Sequence, residues 1–268
     1  MKTRIVIGTL MAAVFAGVWI WGGLALEIAI YLCAALAIYE VYHAFYHVGI
    51  QVPPFTGFFF MVLLPFAIHF FGIKGILALY MLMGMLLLAF QVFKADLSLE
   101  HTAYSFLILF YPCMMISMLP LMMTFPGETG RIALLMTIVC ATFTDMFAYF
   151  AGFFLGRHKL CPTISPKKTI EGAVGGLLGG VAASVIVGLA ISSLFEERIL
   201  IGHLIVLGLL CGVVAQIGDL AASIIKRGTG IKDFGNIFPG HGGMMDRLDS
   251  ILFVAPVVYC YFSIVLLA

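Results

Sequence analysis

The sequence predicts an all-α, polytopic integral membrane protein, and three observations carry that expectation. Of its 268 residues, 63% are hydrophobic and only 10% charged, with a mean hydropathy of +1.16. That composition excludes an ordinary soluble domain. Apolar runs of about 20 residues, enough to cross a bilayer core, recur along the whole chain. The connections between them are short, so function must reside in the membrane or in those connections. A formal net charge of +1 gives no reason to expect a nucleic-acid partner.

About nine helices are expected, at residues 4–22, 24–42, 54–72, 75–95, 102–124, 131–156, 171–194, 199–227 and 247–267. The first opens like a signal peptide, with Lys2 and Arg4 before an apolar stretch, but the many later spans favour an uncleaved helix. Little more than Trp21-Gly22-Gly23 joins it to the second. Near the cytoplasmic end of the second stand Glu40, His43 and His47, whose i, i+3, i+7 spacing puts them on one helical face and would suit a metal. Tyr39, Tyr42 and Tyr46 beside them favour an interfacial girdle instead. Residues 1–130 otherwise read as a scaffold of apolar spans that could also serve dimerisation, and residues 131–268 as the catalytic region.

The sixth helix carries Asp145 about twelve residues before Arg157, so roughly 18 Å from that helix end. Glycines 172, 175, 176, 179 and 180 open the seventh. Their small-xxx-small pairs permit close helix packing, which would draw Ser165-Pro166-Lys167-Lys168-Thr169 toward the second polar loop. In the eighth, Asp219, Ser223 and Lys226 follow at i, i+4 and i+7 and line one face. Asp219 lies roughly 12 Å before Arg227 along the helix. Ionisable groups at such depth face a protein interior or a water-filled cavity, because lipid exposure costs several kcal/mol. The ninth helix opens on Asp246 and Asp249, which its dipole favours. Six cysteines (33, 113, 140, 161, 211 and 260) stand singly and read as small apolar fillers.

Charge is ordered along the chain. With the N-terminus inside and nine helices, one side carries Lys2, Arg4, Lys94, Arg157, Lys159, Lys167, Lys168, Lys226, Arg227, Lys232 and Arg247, eleven cations against Lys74, Arg131 and Arg198 on the other. The positive-inside rule assigns the first side to the cytoplasm. Both polar loops, 157–170 and 226–247, fall there, around an expected cytoplasm-facing polar cavity.

The polar segment from Ser223 to Asp249 interrupts this oily background with four Lys/Arg and three Asp. Carboxylates beside lysines, arginines and glycine-rich backbone are the materials of a metal-and-phosphate site. Asp219 and Asp246, supported by Asp249, are candidate ligands for Mg²⁺, which takes oxygen donors and keeps waters and substrate phosphates. A second cation beside it is an option. Lys167, Lys168, Lys226, Arg227, Lys232 and Arg247 could neutralise phosphates, and Pro239-Gly240-His241-Gly242-Gly243 offers backbone amides for them. There is no GxxxxGK[ST], GxSxG or HExxH, so a P-loop, a serine-hydrolase elbow and a zincin site are excluded.

Ser223-Ile-Ile-Lys226-Arg227, Lys232-Asp233, Pro239-Gly-His241-Gly-Gly and Asp246-Arg247-Leu-Asp249 together resemble the phosphatidate cytidylyltransferase (CDP-diacylglycerol synthase) family. Gly218-Asp219-Leu220 and Ser165-Pro-Lys167-Lys168-Thr169-Ile-Glu171-Gly172 resemble further elements of it. The resemblance covers roughly residues 140–255; the first 130 residues match only in being hydrophobic. One departure is Asp145-Met146-Phe147-Ala148-Tyr149, where the family commonly has D-T-G-A-Y. The resemblance implies transfer of CMP from CTP to phosphatidic acid, giving CDP-diacylglycerol and pyrophosphate. It implies Asp219, Asp246, Lys226, Arg247, Ser223 and His241 as the catalytic set, with Lys167, Lys168, Arg227, Lys232 and Asp145 binding substrate. The choice of CTP rests on the resemblance alone.

Two other readings compete. A CTP-dependent lipid kinase would phosphorylate an alcohol and needs a base, for which Asp145 or His241 would serve. An ion-coupled transporter would use Asp145 and Asp219 as carriers and predicts inverted repeats, yet the first half has no counterpart to the polar elements of the second. The expected setting is the bacterial inner membrane, with a homodimer suggested by the small-residue helix faces.

Overall fold

The computed structural model describes residues 2–50, 52–94, 98–194, 200–240 and 242–266. Helices dominate: α1 (Lys2–Trp21), α2 (Gly23–His47), α3 (Pro54–Lys94), α4 (Leu99–Ile108), α5 (Met118–Met122), α6 (Thr129–Leu155), α7 (Ile170–Leu194), α8 (Ile201–Gly228) and α9 (Met245–Tyr261). One antiparallel hairpin, β1 (Lys159–Cys161) and β2 (Ser165–Thr169), interrupts them. It occupies the first of the two expected polar loops.

Seven helical spans among the described residues are long and apolar enough to cross a membrane, against about nine expected. Two features account for the difference. One is α1, a 20-residue apolar helix that is not among the seven. The third and fourth expected spans form the single 41-residue element α3, broken at Gly72, whose φ of 56° and ψ of −134° are not helical. Unbroken, 41 residues would run about 60 Å, twice a bilayer core. Between α4 and α5 the helix loosens at Tyr111, which is extended (φ −128°, ψ 106°) because the ring of Pro112 excludes the helical region for the residue before it. The chain is thus a multi-pass, all-α membrane protein.

The chain forms two compact units, residues 1–124 with 228–248 and residues 125–227 with 249–268. In the first, Phe45, Phe60, Leu64, Ile76, Met83 and Leu87 are buried. The Tyr42 hydroxyl ties α2 to the start of α3, donating to the Pro53 carbonyl at 3.0 Å and accepting from the Gly57 amide at 3.1 Å.

In the second unit α7 lies between α6 and α8, and its glycines make that possible. A Cβ at Gly179 would stand 2.6 Å from the Cβ of Phe147 on α6, and one at Gly180 would stand 2.8 Å from the Gly208 carbonyl on α8. The small-residue faces therefore serve packing inside the chain, as the spacing suggested. Phe147 fills the place where the resembling family carries glycine, and Gly179 across from it supplies the missing space.

Gly208→Leu should force α7 and α8 apart, since a Cβ there meets the Val181 Cα at 2.6 Å. The expected loss is about 1–3 kcal/mol or more, read as a lower thermal midpoint in detergent. Gly202→Leu, on the same helix with nothing within 4 Å, should leave the midpoint unchanged.

Candidate active site

Two of the expected cations meet two of the expected carboxylates within the second unit. One face of α8 carries Asp219, Ser223 and Lys226, the last two buried. The hairpin brings Lys168 to this face. Its far end is anchored where Thr169 caps α7, its hydroxyl accepting from the Gly172 amide at 3.1 Å. Glu171 in the first turn of α7 holds the other end, accepting from the Arg157 amide at 3.0 Å and contacting the His158 Nδ1 at 2.6 Å. So fixed, the Lys168 Nζ stands 2.7 Å from the Asp219 Oδ2. Both partners keep some contact with solvent, at 23% and 30% exposure.

Deeper in, Lys226 Nζ and Asp249 Oδ2 lie 4.0 Å apart, both only 11% exposed. Asp249 Oδ1 also accepts from the Ser250 amide at 2.8 Å. Asp249 is repelled by the charges of Asp219 and Asp145 and attracted by Lys226. Three carboxylates and two ammonium groups thus form one electrostatic cluster. Asp145 is itself exposed.

In the first unit, the segment between α8 and α9 folds back on itself. Gly240 and Gly242 both take φ of 80°, and the Phe238 amide donates to the Gly242 carbonyl at 3.0 Å. Asp246 is buried, and its Oδ2 accepts from the amides of Phe234 (2.8 Å) and Gly243 (3.0 Å). The Gly243 amide, expected to approach a substrate phosphate, is therefore engaged by the chain's own carboxylate. Lys167, Arg227, Lys232 and Arg247 are exposed. His241 lies outside the described residues.

Glu40 departs from its expected role. It is buried at 3% exposure, whereas His43 and His47 are exposed, so the three do not act as one interfacial group. Its Oε1 accepts from the Met244 amide at 3.0 Å and its Oε2 from the Met245 amide at 2.8 Å. The one sequence signal was a carboxylate inside an apolar helix, which demands a partner; that the partner stood 204 residues on was not legible.

Among the described residues, no three His, Cys, Asp or Glu side chains converge as a ready-made metal site. The available donors are carboxylate oxygens. They fit a hard cation that completes its shell with water and substrate oxygens, as Mg²⁺ does.

Lys226→Met should leave Asp249 buried without the ammonium that faces it, destabilising the fold by about 3–5 kcal/mol. Adding Asp249→Asn should recover most of that loss. Thermal unfolding of the single and double variants in detergent checks the pairing.

A model of the cytidylyltransferase family matches residues 2–265. The phosphatidate cytidylyltransferase of Bacillus subtilis (strain 168) is 33% identical over 268 residues, covering 97% of this chain and 96% of that protein. That of Staphylococcus saprophyticus is 32% identical over 267 residues, covering 96% and 97%. That of Synechocystis sp. is 42% identical over 139 residues, 52% of this chain and 45% of its own length. Similarity thus extends beyond residues 140–255 into the first 130, which their apolar composition alone did not reveal. With a match from one end to the other, the chain belongs to the cytidylyltransferase family.

Proposed function

We propose that the charged cluster on α8, β2 and α9 brings two phosphate-bearing substrates together. The chain is a membrane nucleotidyltransferase that moves CMP from CTP to phosphatidic acid, forming CDP-diacylglycerol and pyrophosphate for phospholipid biosynthesis. The observation that carries the site reading is the Lys168–Asp219 pair, which joins the Ser165–Thr169 strand to the Asp219-Ser223-Lys226 face.

An oxygen of the lipid phosphate attacks the α-phosphorus of CTP, and the bond to the bridging oxygen of the β-phosphate breaks. The lipid phosphate is already ionised at neutral pH, so no strong general base is required. Positioning and charge compensation do the catalysis. Lys226, Arg247, Lys167 and Lys168 hold phosphates and steady the departing pyrophosphate. Arg227 and Lys232 add positive charge, Asp145 contributes to substrate binding, and Ser223 and His241 orient the reacting groups by hydrogen bonding. Asp219, Asp246 and Asp249 would supply carboxylate oxygens to Mg²⁺, with a second cation as an option, and the ion would offset phosphate charge.

The eleven-to-three cation bias supports a cytoplasm-facing site in a bacterial inner membrane. A homodimer would use faces other than the glycine-lined ones of α7, which α6 and α8 already fill. A lipid kinase or a transporter is not favoured, since the family match is to cytidylyl transfer.

Purified protein in detergent should convert CTP and phosphatidic acid to CDP-diacylglycerol with one pyrophosphate each, and chelation of divalent cations should stop it. Asp219→Asn should lower kcat/KM by about 100-fold or more. Release of CDP instead of pyrophosphate would overturn the assignment.

A further inference from the structure

We infer that Glu40 is a positioning residue for the reaction, holding the backbone at residues 234–235 and 242–245 in the shape that presents Asp246. It lies outside every motif in the polar half of the chain.

The need for such a residue follows from the start of α9. The first amides of a helix have no partner within it. The residues just before α9, Gly242-Gly243-Met244, provide no Ser, Thr, Asp or Asn to cap it. Asp246 is directed back at the Phe234 and Gly243 amides. A carboxylate from α2 takes the cap position instead, one oxygen to Met244 and the other to Met245. Charge-assisted bonds and the positive end of the helix dipole stabilise an anion there. They offset the cost of burying it at 3% exposure.

Two glycines identify the same role independently. Gly235 and Gly243 do not have positive φ, so conformational freedom does not explain them. Space does: a Cβ at Gly235 would lie 2.7 Å from the Glu40 Cδ, and one at Gly243 would overlap both carboxylate oxygens. A side chain at either position would push Glu40 off the two amides. The loop glycines and Glu40 are thus one fitted unit, and the Gly243 amide passes its position to Asp246 through a 3.0 Å bond.

The carboxylate itself is required. Glutamine offers one acceptor oxygen and would aim an NH₂ at the second amide. Glu40→Gln should lower kcat by about 10- to 100-fold and raise the Mg²⁺ concentration for half-maximal rate, as loss of a supporting partner does. This readout rests on the proposed metal role of Asp246. A second readout does not: trypsin should cut after the exposed Lys232 faster than in the parent, with or without turnover.

Gly243→Ala should reproduce both effects, and Glu40→Gln with Gly243→Ala should be no worse than either alone, because both remove the same contact. If Glu40→Gln is not recovered folded, Gly235→Ala gives the same reading. Parent-like Lys232 cleavage in the folded variants, or effects that multiply in the double variant, would overturn the inference. Faster cleavage in a chain that does not turn over CTP and phosphatidic acid would leave it standing while removing the proposed reaction.

Discussion

Charge inside a membrane protein must be answered within the protein, and the polar half of this chain is organised by that constraint. Lipid offers no counter-ion and no hydrogen bonds, so an unanswered carboxylate would cost several kcal/mol. Asp219 is met by Lys168 and Asp249 faces Lys226, while Asp246 and Glu40 are answered by backbone amides. These are two different solutions. Ion pairs leave groups that can exchange partners, whereas paired amides lock a carboxylate to one place.

Close backbone approach makes the ion pairs possible. Lys168 reaches Asp219 from a short hairpin whose ends are pinned by Thr169 and Glu171 at the start of α7. That start is held in turn by glycines letting α7 lie against α6 and α8. Packing in a membrane gains little from hydrophobic burial, so shape governs it. The Phe147–Gly179 contact illustrates this: bulk on one helix is matched by its absence on the other.

The spans, the cation bias and the α8 face were legible in the sequence, because apolar length and helical periodicity are local properties. Asp219, Ser223 and Lys226 could be placed on one face from spacing alone. The merging of two spans across Gly72 was less legible, since a break in backbone angles leaves composition unchanged. Residues 157–170 read as a polar loop, and their pairing as a hairpin depended on contacts with the helices around them.

What the sequence determined by itself, then, was a polytopic α-helical membrane protein resembling the cytidylyltransferases, with its charged motifs gathered in the polar segments of the second half. Periodicity, hydropathy and a dense motif sufficed for that. Tertiary structure alone decided which cation meets which carboxylate, and that Glu40 holds a loop more than 200 residues away. Such pairings arise when distant segments fold together, and neither partner carries the other's address in its neighbouring residues.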